Sequence, residues 1–276
     1  MFLSTPRRPL GVLALGLFTV LLPCLPARAQ AEGTTSTEPD AASRKKAAEI
    51  LDAIIDKTGG REARESIKAT VSTATLDLVG MGITGKVTIY AADPHYSLSV
   101  AEIPGMGEMI EGCDGKVAWG TSLMTGPRLK EGTELAQALR ASTFHADLHW
   151  RDLYKNWAYL GDEEVDGKMC HKLVVTPREG DPETTYVDVT TGLPHKRVAK
   201  AESPMGEMDV ETLLSDYKEV DGILTPHKMT QKVMMQEITI NVTSIENKKE
   251  ADLSVFEPPA EIKELLEDMK TDGGAK

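Results

Sequence analysis

Two histidines four residues apart are the clearest sign of metal chemistry in this sequence. His145 and His149, in His-Ala-Asp-Leu-His, have the spacing that places two zinc ligands on one face of a helix. A metalloprotease helix carries glutamate directly after the first histidine, where this chain has alanine. The sequence marks no third ligand. We therefore interpret the pair as histidines on an exposed helical edge and expect no metal site.

Two further patterns resemble the catalytic motifs of penicillin-binding enzymes. Ser215-Asp-Tyr-Lys218 fits Ser-x-x-Lys, and Lys57-Thr58-Gly59 fits Lys-Thr-Gly, but their order along the chain is reversed. The sequence has no Gly-x-Ser-x-Gly, P-loop or dinucleotide fingerprint. We therefore expect no catalytic residue and no cofactor, and we predict that the chain is not an enzyme. An uncharacterised hydrolase is kept only as an alternative.

The N-terminal residues have the pattern of a secretory signal peptide. Arg7 and Arg8 precede an uncharged apolar run, and Ala27-Arg28-Ala29 has the spacing of a cleavage site. Residues 1–29 are therefore predicted to be removed on export to the periplasm, where the chain would be soluble. The whole chain has a formal net charge of −12, which loss of these arginines makes more negative. This balance argues against nucleic acid as a partner and suits a monomer.

Two cysteines, Cys113 and Cys170, remain after the predicted cleavage. An even pair in an oxidising compartment is a candidate disulfide, and each cysteine lies beside a predicted hairpin turn. The sequence does not show whether their Cα atoms approach closely enough to bridge, so pairing stays open.

Tight turns dominate the rest of the chain. Asp114-Gly115, Asp166-Gly167 and Asp221-Gly222 each separate short runs rich in β-branched residues, and Asp-Gly supplies the positive φ angles that a hairpin needs. Successive hairpins without intervening helices predict a meandering antiparallel sheet of roughly eleven strands. The predicted fold is mainly β (α+β): one curved sheet forms an open half-barrel, and helices plug its concave face.

Three helical segments are predicted to cover that sheet. Ser43 is read as the N-cap of a first helix that Gly59-Gly60 ends, and residues 133–141 and 147–160 also have helical spacing. Residues 30–42 are polar and read as a disordered leader. The folded domain is predicted to span 43–270, closing with a helix over 260–270, and 271–276 form a flexible tail.

Four segments together resemble a known family. They are the end of the first helix through Lys57-Thr-Gly-Gly60, Asp114-Gly-Lys-Val-Ala-Trp119, Asp188-Val-Thr-Thr-Gly-Leu-Pro194 and Asp216-Tyr-Lys-Glu-Val-Asp-Gly222. In order and spacing they resemble the outer-membrane lipoprotein-sorting superfamily of LolA/LolB-like periplasmic carriers. The resemblance implies an open half-barrel with helices in its mouth and a hydrophobic cavity for acyl chains. It also implies an arginine early in the barrel that governs ligand release, and the first predicted strand, residues 70–79, has none.

Alternating apolar residues on the strands and apolar helix faces supply the candidate ligand-binding wall and lid. Trp150, Tyr154 and Trp157 recur at i, i+4 and i+7, so they would share one helix face. That face is either a lid that lifts or a permanent part of the core. The candidate cavity and lid residues are Leu76, Leu78, Val87, Ile89, Met106, Met109, Val117, Trp119, Leu135, Leu139, Leu148, Trp150, Leu153, Tyr154 and Trp157.

The sequence thus predicts a periplasmic carrier that shields lipoprotein acyl chains or another lipid. Expected partners are these lipids and membrane-associated sorting proteins. The alternative is an envelope sensor or docking module that uses the same fold without transport. Adaptable methionine side chains in and near the strands suit a flexible ligand, but they equally suit an irregular core.

Overall fold

A computed structural model describes residues 40–203 and 206–273, with side chains to residue 270. Of residues 1–39 it describes only a backbone pairing of Leu13–Ala14 with Thr19–Val20. The predicted signal peptide and most of the leader therefore lie outside the described residues. Among the described helices, none is long and apolar enough to cross a membrane.

Five α-helices accompany the sheet in the described part of the chain. They are α1 Ala41–Lys57, α2 Gly60–Glu65, α3 Gly132–Ala141, α4 Trp150–Leu153 and α5 Ala260–Gly273. Short 3₁₀ turns occupy Ala146–His149 and Leu253–Phe256. The first helix starts earlier than predicted because Asp40, not Ser43, is its N-cap: the Asp40 carboxylate accepts a hydrogen bond from the Ser43 backbone N–H at 2.7 Å. The last helix continues to Gly273, into the segment predicted to be a tail.

Thirteen strands form one antiparallel sheet, so the predicted open, curved, mainly β fold is confirmed. The strands are β1 Ala69–Leu78, β2 Ile83–Ala92, β3 Tyr96–Ile103, β4 Gly107–Cys113, β5 Ala118–Ser122, β6 Arg128–Leu129, β7 Tyr154–Val165, β8 Lys168–Pro177, β9 Glu183–Asp188, β10 Pro194–Ala201, β11 Met208–Val220, β12 Ile223–Val233 and β13 Gln236–Lys248. Their order is β6-β5-β4-β3-β2-β1-β13-β12-β11-β10-β9-β8-β7, which places β6 and β7 at the two edges.

Two of the three predicted Asp-Gly turns form with positive φ at both residues, whereas at Asp114-Gly115 only the glycine has a positive φ. Asp166 and Gly167 have φ of 49° and 78°, and Asp221 and Gly222 have φ of 51° and 79°. Two adjacent residues with positive φ match the right-handed twist of the strands that they join. These turns set the register of β7 with β8 and of β11 with β12.

The helix predicted over 147–160 is wrong. The structure has the 3₁₀ turn and the four-residue α4, and from Tyr154 the chain is the edge strand β7. The aromatic residues favour an extended strand, in which Trp157 pairs with Val175 and Tyr159 with Leu173. The sheet has two strands more than the predicted eleven, and the additional strands are β7 and the two-residue β6.

The two cysteines do not form a disulfide. Both Cys113 and Cys170 are buried free thiols. Cys113 ends β4, whereas Cys170 lies in β8, nine positions away in the strand order. A bridge requires Cα atoms within about 7 Å, and this separation across the sheet explains why the pairing does not occur.

The C-terminal segment covers the outer face of the sheet. Phe256 is buried against Ala69 and Ala92, and its ring centroid lies 5.5 Å from that of Tyr96. Ile262 of α5 is completely buried. Helices α1 and α3 cover the opposite, inner face, which holds the candidate site: α1 packs on Leu173, and α3 lines a cavity with Ser97.

Candidate functional site

The inner face of the sheet is defined by alternation along paired strands. It carries Leu76 on β1, Ile240 on β13 and Leu173 on β8, which the pairing register places on the same side. The composition of this face changes along the strands. One half is apolar and the other half is rich in hydroxyl groups.

The apolar half is filled by the protein's own side chains. Five predicted cavity residues lie in this cluster, and Ile89 packs against its margin. Met229 and Val242 also contact the margin. The buried members of the apolar cluster are Ala74, Leu76, Leu78, Val87, Ala101, Ile103, Met106, Met109, Ile238 and Ile240.

The hydroxyl-rich half encloses a chamber of about 280 Å³. Its floor comes from β1, β2, β3, β12 and β13, and the segment after α3 forms its other wall. The side chains that line this chamber are Arg64, Thr70, Ser72, Ala91, Ser97, Ala141, Ser142, Thr143, Phe144, His145, Ile223, Thr225, Ile245 and Asn247. A second cavity of about 150 Å³ lies beneath α3 and shares Ser97 and Ala141 with the chamber, so the two spaces adjoin. Ile89 lines this second cavity and links it to the apolar cluster.

Helix α3 bridges the two arms of the curved sheet through polar contacts. Glu134 accepts two hydrogen bonds from Arg128 of β6, at 2.6 and 2.7 Å. The Gln137 side chain donates to the Lys200 carbonyl at 3.3 Å and accepts from the Glu202 backbone N–H at 3.0 Å. These partners stand far apart in the strand order, so the sheet must curl for one helix to reach both.

A buried carboxylate anchors the C-terminal end of α3. Arg140 donates to Glu183 of β9 at 2.5 Å, and Arg197 reaches the same carboxylate at 3.3 Å. Burial raises the pKa of the nearby Tyr154 hydroxyl, and the charge of Glu183 adds to that shift. Nevertheless, every residue of α3 is at least partly exposed. The helix is therefore attached by its polar groups and not by a buried apolar face.

Helix α1 is attached differently. Ala47 and Ile50 are buried against Leu173 and Val187 of the sheet. The Ser43 hydroxyl exchanges hydrogen bonds of 2.8 and 3.0 Å with the backbone of Tyr159. Tertiary packing thus holds α1 along its length.

An aromatic pair supports the other side of α1. The Trp150 and Trp157 rings meet edge to face, with centroids 4.8 Å apart. Asp52 of α1 accepts from Trp150 at 3.2 Å and from Arg151 at 2.7 and 2.8 Å. The Arg151 hydrogen bonds lower the pKa of Asp52. The tryptophans therefore touch, although they lie on different elements and do not form a helix face.

His145 stands at the wall of the chamber in a left-handed conformation, with φ of 50°. Its Nε2 atom is buried and has no hydrogen-bond partner among the described residues. Burial and the positive charge of Arg64 lower the pKa of His145. Arg64 in turn pairs with Asp147 at 3.1 Å and donates to the Thr58 hydroxyl at 2.6 Å. The neutral imidazole and the paired arginine leave this wall polar but nearly uncharged.

The remaining predicted site residues are dispersed. Trp119 lies on the outer face over Gly112, where an added Cβ would come within 2.3 Å of the indole ring. Leu139 and Leu153 line a groove of about 320 Å³ beside α3. Leu148 is buried against Ile55 of α1. Leu135 on α3 and Val117 before β5 are partly buried, and they line none of the cavities described above.

Sequence reasoning missed the hydroxyl-bearing residues of the chamber. Ser97-Leu98-Ser99 on β3 gives the available signal, because serines at alternate strand positions must share a face. Thr225 and Asn247 carried no such signal, since their approach depends on long-range pairing. The described residues contain no group of three or more His, Cys, Asp or Glu side chains that could hold a metal ion.

Comparison with known proteins identifies the fold. No family model and no curated protein matches the chain. A DUF1329 family protein from Desulfovibrio piger is similar in structure, with a TM-score of 0.53 and 15% identity over 80% of this chain and 98% of that one. A LolA superfamily protein from Nitrosomonas europaea has a TM-score of 0.52 and 11% identity over 79% and 99%.

A putative outer membrane lipoprotein-sorting protein domain from Vibrio parahaemolyticus is a third similar structure. It has a TM-score of 0.51 and 11% identity over 77% of this chain and 97% of that one. The predicted resemblance to the LolA-like fold is thereby confirmed. Identities this low establish the fold alone.

Proposed function

We propose that this chain is a periplasmic carrier that binds a lipid, or the acyl chains of a lipoprotein, beneath helix α3. Export through residues 1–29, a leader over 30–42 and a folded domain over 43–270 belong to the same proposal, as does the absence of enzymatic activity. Membrane-associated sorting proteins are its proposed partners. The LolA-like fold supports the proposal as an analogy.

One observation carries the proposal: α3 lies over unfilled space and buries none of its residues completely. A helix that belongs permanently to a core normally buries an apolar stripe. Helix α3 instead spans the mouth through Glu134, Gln137 and Arg140, with cavities beneath it and beside it. These properties suit a cover that moves.

The gradient along the inner face suits an amphiphilic ligand. Small-molecule sites usually enclose about 300–1,000 Å³, and the adjoining cavity and chamber together enter that range. A polar headgroup would meet the serine and threonine hydroxyls of the chamber. Its tail would extend past Ile89 to the margin of the apolar cluster, where Met229 and the adjoining buried Met109 can repack.

The energies of opening and binding are compatible. The Arg128–Glu134 pair is partly exposed and contributes on the order of 0–1 kcal/mol, because both charges regain water when the pair opens. The buried Glu183 keeps its contact with Arg197 when Arg140 leaves. Each methylene of a ligand tail contributes about 0.8 kcal/mol when it leaves water. Burial of a few methylenes therefore offsets release of the Arg128–Glu134 and Arg140–Glu183 pairs.

The proposal is tested by a substitution that fills the cavity beneath α3. Ala138 lines the 150 Å³ cavity, whereas Thr133 is exposed on the same helix. We expect Ala138→Trp to reduce uptake of a fluorescent fatty acid at least about tenfold, because the indole occupies the cavity, and Thr133→Trp to leave it unchanged. Native mass spectrometry of the purified chain is expected to show a bound lipid. A lipid-free chain that takes up no fatty acid would contradict the proposal.

A sensor or docking module without transport is the second candidate, and one observation favours it. The apolar half of the inner face is already filled by residues such as Leu76, Leu78 and Ile238. A module of this kind would purify without lipid and would bind a protein instead, with the cavity substitutions having no effect on that binding.

A further inference from the structure

One end of the sheet carries turns of unusual composition. In an antiparallel meander alternate turns lie at the same end, so the turns at 79–82, 104–106, 123–127 and 234–235 form a row. These four turns join eight neighbouring strands, from β6 to β12. Their sequences are Val-Gly-Met-Gly, Pro-Gly-Met, Leu-Met-Thr-Gly-Pro and Met-Met, and none contains a charged residue. We call this row the methionine rim.

Large apolar side chains of the methionine rim face solvent. Met235 is 88% exposed and Leu123 is 80% exposed, and Val79, Met124 and Met234 are also exposed. Neighbouring turns touch: a Cβ at Gly107 would lie 2.6 Å from Leu123 Cδ1. Exposed side chains of this size in adjacent turns are not explained by the packing of the fold.

The opposite end of the sheet has the reverse character. Its turns contain Asp93, Asp114, Asp166 and Asp221, which suit water. Val189 is the exposed large apolar residue in the remaining turn at that end. The next turn at this end joins β10 to β11 and carries Glu202 and Glu207, and the turn after it, residues 178–182, is again charged. A run of four consecutive uncharged turns thus occurs at one end only, although Met169, Val189, Leu253 and Val255 are exposed elsewhere.

We propose that the methionine rim docks the protein on the surface of an electrically neutral lipid bilayer. Adjacent turns stand two strand spacings apart, about 10 Å, so apart from the contact of Leu123 with Gly107 their side chains form separate points and not a continuous apolar patch. A protein interface needs a closely packed core, whereas a fluid membrane interface accommodates separate apolar points.

Charge selects the kind of membrane. The rim itself is uncharged, and the chain has a net charge of −12, which disfavours anionic surfaces. Binding should therefore be stronger on phosphatidylcholine vesicles than on vesicles rich in phosphatidylglycerol, and it should hold in high salt. The docking proposal depends on the proposed carrier function in one respect only: docking would bring the binding site to a source of lipid.

The first experiment measures partition of the full chain onto phosphatidylcholine vesicles. The double substitution Leu123→Ser, Met235→Ser should lower the partition coefficient about tenfold or more, because two apolar insertion points are lost. Val189→Ser at the opposite end is the matched control and should have no effect. Partition that survives the double substitution, or that the control lowers equally, would overturn the proposal.

A second experiment locates the contact independently of overall affinity. With brominated phosphatidylcholine, the full chain carrying Leu123→Trp should show quenched fluorescence beyond that of the unsubstituted chain. Val189→Trp should show none. Equal quenching at both ends, or quenching at neither, would contradict docking through the rim. The rim variants should still take up soluble fatty acid, so loss of docking and failure of the carrier function are distinguishable.

Discussion

Helices α1 and α3 both cover the inner face of the same sheet, yet buried apolar contacts hold α1 there and polar contacts hold α3. Helix α1 buries Ala47, Ile50 and Ile55 completely or nearly so, whereas every residue of α3 stays partly exposed. The space under α1 is filled by Leu173 and Val187, while a cavity lies under α3. This difference teaches that one fold can contain both a permanent wall and a cover whose removal disturbs little packing.

The largest expected effect is on the free energy of unfolding, and it differs between substitutions in α1 and in α3. Ile50→Ala on α1 should lower the free energy of unfolding by about 2–5 kcal/mol, because it leaves a cavity in a packed contact. Leu139→Ala on α3 should cost about 1 kcal/mol or less, since that side chain borders an open groove. Urea unfolding of both variants measures the difference, and equal losses would break the comparison.

A smaller effect concerns the attachment of α3. Gln137→Ala removes two uncharged hydrogen bonds between α3 and the segment around Lys200 and Glu202. A net loss of about 1 kcal/mol from the closed state should raise the rate of fatty acid uptake about fivefold. Stopped-flow fluorescence measures this rate. Ser43→Ala, which removes two hydrogen bonds of α1, is the control and should leave the rate unchanged.

The smallest expected effect is a pH dependence at the junction after α3. The folded state lowers the pKa of His145 below its ordinary value of 6.5, so the unfolded chain binds the proton more readily. The contribution of His145 to stability is therefore full above pH 6.5 and declines as the pH falls from 6.5 to the lowered pKa. Asn tolerates the left-handed backbone, so His145→Asn should make the unfolding free energy depend less on pH in this window. An unchanged slope would contradict the account.

Local chemistry made the sheet predictable. The turns at Asp166-Gly167 and Asp221-Gly222 need only two residues with positive φ, so the sequence shows them directly. The prediction for the aromatic segment was wrong because Trp150, Tyr154 and Trp157 fit a helical spacing as well as a turn followed by a strand. Pairing of Trp157 with Val175 on β8 decided between them, and that contact is not local.

The candidate site was predictable only in part. Leu76, Leu78 and Val87 were correctly placed on one face, because alternation along a strand is a local property. Their complete burial was not foreseen, since it depends on neighbouring strands and on how tightly the sheet curls. The attachment of Arg140 to Glu183 joins residues that no periodic pattern relates.

Hydrogen exchange measured helix by helix tests the central claim most directly. The account predicts that backbone amides of α3 exchange at least about tenfold faster than those of α1 in the lipid-free chain, because α3 opens without disturbing the core. It also predicts that bound fatty acid changes exchange in α3 and leaves α1 unaffected. Equal protection of the two helices, with no response of α3 to lipid, would contradict it.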